Sequence, residues 1–78
     1  MKCNYGIMVV PKQNLTSVVH FCGYEEEPTA HDYVSLREEL NTDTELGLAG
    51  EIDEHLLLPA TPDVIDYFRP FIENQKNV

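Results

Sequence analysis

The sequence predicts an α+β domain: a β-hairpin and a short third strand, covered on one face by two helices, in the order ββαβα. Three observations predict it. Two β-prone runs, CNYGIMVV (Cys3 to Val10) and LTSVVHFC (Leu15 to Cys22), flank a polar break at Pro11-Lys12-Gln13-Asn14, the pattern of a hairpin. Helical spacing begins at Ala30. A second helix start stands at Thr61-Pro62-Asp63. A small sheet with both helices on its apolar face is the economical way to bury these elements.

Each element has its own local cause. Gly23 ends the second run. Thr29 is a good N-cap, with Asp32 three residues on as a looser capping box. From Ala30, Tyr33, Leu36 and Leu40 fall near one face, flanked by Val34 and Arg37, while Asp32, Ser35, Glu38 and Glu39 fall on the other, which makes an amphipathic helix. The three glutamates before it, Glu25 to Glu27, suit the positive end of the helix dipole. In NTDTELGLAG, Leu46 and Leu48 are expected to tuck back onto the core. The third strand is placed at His55–Leu58, ended by Pro59. Thr61 caps the last helix, and Pro62 takes its first position, where the missing N–H costs nothing. Its apolar stripe is Val64, Ile65 and Phe68. Pro70 is expected to stop or kink it near Phe68, with Phe71 and Ile72 still packing.

A chain of 78 residues is one domain, and such a domain buries only roughly 60% of its unfolded surface. A deep enclosed active site is therefore not expected. Hydrophobic residues make up 42% and charged residues 24%, as in ordinary globular proteins. Residues 73–78 read as a disordered tail. With no charged-then-apolar leader and no run near the roughly 20 apolar residues of a membrane helix, the chain reads as a complete small cytoplasmic protein. The sequon Asn14-Leu15-Thr16 would matter only in a secreted protein.

Charge narrows the partners. Fourteen acidic residues face five basic ones, for a net charge of −9. Nucleic-acid binding needs Lys and Arg on phosphates. Lys2, Lys12, Arg37, Arg69 and Lys76 are dispersed and outnumbered, so direct binding to nucleic acid or to an anionic membrane is not expected. A basic protein partner is favoured by opposite fields, against the plain alternative that acidity only keeps the protein soluble.

No catalytic or metal constellation stands out, and no cofactor is expected. Cys3, Cys22, His20, His31 and His55 are the candidate soft ligands, without a C-x-x-C or H-x-x-x-H pair. Hairpin register decides whether they converge. With Val10 opposite Leu15, Cys3 faces Cys22 and Tyr5 faces His20. With Val10 opposite Thr16, Tyr5, Ile7, Val9, Val19 and Phe21 share an apolar face and the cysteines part. The second register gives the cleaner alternation and is preferred. Free cysteine acting as a small hydrophobe is then the default. The acids Asp43, Glu45, Glu51, Asp53 and Glu54 do not match the spacing of a twelve-residue calcium loop.

What remains is a non-enzymatic protein-binding module, a small accessory or regulatory protein. Its expected binding surface is Glu25, Glu26, Glu27, Asp32, Glu38 and Glu39, with Tyr24 and Tyr33 as aromatic anchors where exposed. A second expected surface is the uncovered sheet face with Met8, Val10, Val18 and His20, which a homodimer would cover. The alternatives are an inhibitor that imitates nucleic acid toward a DNA- or RNA-binding protein, and a small metal protein using Cys and His.

Overall fold

A computed structural model describes residues 2–43 and 48–74. These form β1 (Tyr5–Pro11), β2 (His20–Tyr24), α1 (Ala30–Thr42), a 3-10 turn (Ile52–Glu54), β3 (His55–Pro59) and α2 (Pro62–Asn74). The order is ββαβα and the fold is α+β, as the sequence predicts. The strands form one antiparallel sheet in the order β2-β1-β3.

The central strand explains where the helices sit. Ile7, Val9 and Val10 are fully buried and Met8 is half-buried, so β1 is covered on both faces. Successive side chains in a strand point to opposite faces. Ile7 and Val9 pack with Leu36 and Leu40 of α1 and with Leu48 and Ile52, joined by Cys22 and Leu57. On the other face Phe21, paired with Met8, stacks on Phe68 of α2 at 4.7 Å and 5°. The expectation of two helices on one face is therefore corrected to one helix on each. The physical reason lies in β1 itself. An unbroken run Ile7-Met8-Val9-Val10 belongs to a strand with no wet face, whereas alternation marks a half-buried one.

The hairpin register also differs from both registers that the sequence suggests. Tyr5 pairs with Tyr24, Ile7 with Cys22 and Val9 with His20, across a connection of residues 12–19. Asn14 causes the shift. Its side-chain oxygen accepts from the Thr16 amide (3.2 Å) and hydroxyl (2.6 Å), and its carbonyl accepts from Ser17 N–H (3.2 Å). This Asx turn draws Leu15, Thr16 and Ser17 out of the expected strand. Phe21 consequently lies on the α2 face rather than beside Ile7 and Val9, and Val19 is 48% exposed.

Two glycines face α2. A Cβ on Gly6 would stand 2.4 Å from two ring carbons of Phe21, so the Phe21–Phe68 stack requires glycine there. A Cβ on Gly23 would stand 2.9 Å from both Cys3 Sγ and Ile72 Cδ1. Cys3 therefore packs on the α2 side, while Cys22 packs on the α1 side.

The helix starts match the sequence. Thr29 Oγ1 accepts from Asp32 N–H (3.3 Å), and Asp32 Oδ2 accepts from Thr29 N–H (2.8 Å), a reciprocal capping box. Helix α2 begins at Pro62, but it continues through Pro70 to Asn74. Pro70 is exposed, so the carbonyl it leaves unbonded is on the wet side of the helix. The last turn is also tied down. Arg69 Nε donates to Cys3 O (3.0 Å), and Cys3 N–H donates to Glu73 Oε2 (3.1 Å). Glu73 and Asn74 thus belong to the helix rather than to a tail, and the rest of that expected tail lies outside the described residues, as does Leu46. Ile72 packs as expected, but Phe71 is 59% exposed.

Candidate functional site

Strand β2 delivers its acidic sequel to one place. Gly23, Tyr24, Glu25, Glu26, Glu27, Thr29 and Asp32 line a shallow open groove where β2 ends and α1 begins. Glu25 is held there from the N-terminal arm: the Lys2 amide donates to its Oε1 (3.2 Å) and Asn4 Nδ2 to its carbonyl (3.3 Å). Asp32 has a structural duty as the third residue of the capping box and still borders the groove.

The fields of these acids reach the strand. Burial raises the Cys22 thiol above its ordinary value, a hydrogen bond from Tyr24 opposes this, and Glu39 and Asp32 add to the rise. Burial likewise raises the Tyr24 phenol, reinforced by Cys22, Asp32 and Glu39. Tyr33 is raised by burial and then by Glu27. The flank of α1 over β2 is therefore acidic through Asp32 and Glu39. Of the six acids predicted as a surface, Glu25, Glu26, Glu27 and Asp32 meet in the groove. Glu39 adds its field, and Glu38 lies exposed on α1 outside the groove lining. Tyr24 and Tyr33 are half-buried against the α1-side core.

The opposite flank of α1 differs. Arg37 forms an ion pair with Asp53, beside a depression lined by Tyr33, Val34, His55, Leu56 and Leu57. Arg69 pairs with Asp66 (2.8 Å) and approaches Glu73 (4.0 Å). Both arginines are thus engaged by carboxylates of their own chain. The Arg37–Asp53 pair has no sequence signal, since 16 residues separate its members.

The predicted sheet-face contacts do not form one exposed face. Val10 is fully buried, and Met8 shares its face, which α2 covers. Val18 borders a depression it shares with Val64, Tyr67 and Phe68, and His20 points to the other face, beside Val9. The cover of α2 removes Met8 and Val10 from the surface, and the register shift turns His20 away from them. The candidate soft ligands do not converge either. Cys3 and Cys22 are free thiols on opposite sides of the sheet, and no group of three or more His, Cys, Asp or Glu side chains among the described residues is placed to hold a metal ion. Asp53, one of the acids weighed for calcium, is taken by Arg37.

No protein-family profile, curated protein or solved structure matches the chain. Among the described residues, no helix is long and apolar enough to cross a membrane.

Proposed function

We propose that the protein is a non-enzymatic, protein-binding module, a small cytoplasmic accessory or regulatory protein that holds a basic partner at the acidic groove between β2 and α1. One observation carries this: Glu25, Glu26, Glu27 and Asp32 line a single open groove that no Lys or Arg lines. Clustered charge of one sign steers an oppositely charged partner and fixes its orientation. Imitation of nucleic acid is less favoured. Acids also stand at the 3-10 turn (Asp53, Glu54) and along α2 (Asp63, Asp66, Glu73), whereas a duplex shows one charge per about 1.7 Å along a single axis.

The test is capture of partners from an extract of the native host at rising salt, with the wild type beside E25K/E26K/E27K. A partner retained at low salt, released as salt rises and absent from the charge-reversed bait is the expected result. A partner that survives both high salt and charge reversal would overturn the proposal.

A further inference from the structure

The sheet order leaves β2 at an edge, and the pairing shows which of its backbone groups face outward. In an antiparallel pair, alternate residues turn their N–H and C=O groups toward the same neighbour. Ala60 N–H bonds Gly6 O (2.8 Å) and Lys12 N–H bonds Glu54 O (2.9 Å), so even-numbered residues of β1 face β3. Val9 O accepts from Val19 N–H (2.9 Å), so the odd-numbered ones face β2. In β2 the partners of those odd residues are His20, Cys22 and Tyr24. The N–H and C=O groups of Phe21 and Gly23 therefore point away from the sheet, and no strand among the described residues pairs with them.

This edge joins two chemically distinct surfaces. On the α1 side, Asp32 lines one groove with Gly23 and Tyr24, and Glu25 to Glu27 continue into it from the strand's end. On the α2 side, Phe68 covers Phe21, and Tyr67 packs edge-on against Phe68 at 5.0 Å while remaining 65% exposed. A strand laid along β2 would present alternate side chains to these two surfaces.

We infer that the outer edge of β2 accepts an extended segment of a partner protein as a fourth strand. Its basic side chains would lie toward the acidic groove and its apolar ones toward the aromatic flank of α2. This rests on the function proposed above and names the ligand of that site. Phe21 and Gly23 offer two outward donors and two outward acceptors to the added backbone. A second copy of this chain is the poorer occupant, because each copy carries a net charge of −9 and brings the same acids to the same edge.

The probe is a capped synthetic peptide of alternating Lys and Val, compared with the same peptide N-methylated at every second backbone position. N-methylation removes the edge-facing donors and leaves the charges. Binding is measured on the intact protein, with hydrogen exchange read at the Phe21 and Gly23 amides. The expected result is slowed exchange at both amides with the parent peptide, and affinity at least about tenfold lower for the methylated one, the loss of one or two net hydrogen bonds. Equal affinity of the two peptides, or binding without slowed exchange at Phe21 and Gly23, would overturn strand addition and leave the acidic groove standing. No binding of either peptide, while salt-sensitive capture of a host partner persists, would also overturn it. Slowed exchange at both amides in the free protein, together with a dimeric mass, would assign the edge to a second copy and overturn the inference. Undiminished parent-peptide binding to E25Q/E26Q/E27Q would instead overturn the acidic groove itself.

Discussion

At the β3 edge, outward pairing is blunted: Pro59 has no N–H, and the N–H of His55 is spent on Ile52 O. By the same alternation, Leu57 alone among the β3 residues keeps an outward N–H. The flank of α1 above this edge holds the Arg37–Asp53 pair. At the β2 edge, Phe21 and Gly23 keep theirs, and the flank of α1 above is acidic. Unpaired edges invite other strands, and proteins commonly protect them with proline or charge. One edge here carries a proline. The other carries acids of one sign, and on the reading proposed above that field would favour a basic strand over others.

The β2 edge depends most on Gly6. Gly6→Ala should press on the Phe21 ring, 2.4 Å from the new Cβ, and push Phe21 off Phe68. Overpacking of this kind costs about 1–3 kcal/mol. Thermal unfolding should report the loss, and hydrogen exchange should accelerate in β2 more than in β3. Equal acceleration at both edges would show that Phe21 does not anchor β2.

Alkali should act on the same side. The Cys22 thiol and Tyr24 phenol are both raised in the folded state, so the unfolded chain ionises first as pH climbs. The stability they contribute is complete below the thiol's ordinary value of 9.0 and is lost as pH rises through the folded values. Unfolding midpoints followed from neutral pH upward should fall, with a shallower slope in Cys22→Ala. Parallel slopes would show that the Cys22 thiol contributes nothing to the alkaline loss of stability.

The smallest effect is expected at the β3 flank. Arg37→Ala breaks an ion pair whose side chains are 45% and 85% exposed, and exposed pairs contribute about 0–1 kcal/mol. Its cost should shrink further with added salt. A loss well above that range would mean that Arg37 supports the β3 edge through its packed stem.

Local chemistry makes part of this protein legible in its sequence. Thr29 with Asp32, and Thr61 with Pro62, fix their helix starts through bonds that span three or four residues. Leu36 and Leu40 are buried because helical spacing puts them on one side. The acids Glu25 to Glu27 are neighbours in sequence and remain neighbours in the groove. What tertiary structure alone decided depends on contacts between distant residues. Asn14 set the register by a side-chain turn, which moved Phe21 to the α2 face. Arg69 and Glu73 hold Cys3 across nearly the whole chain and carry α2 past Pro70. Composition shows that acids outnumber bases, but only packing engages Arg37 with Asp53 and leaves the β2 side of α1 acidic. A strand's two faces are equivalent in sequence until something covers them, so the run Ile7 to Val10 was compatible with an uncovered face, and only the packing of α1 and α2 on opposite sides buried both.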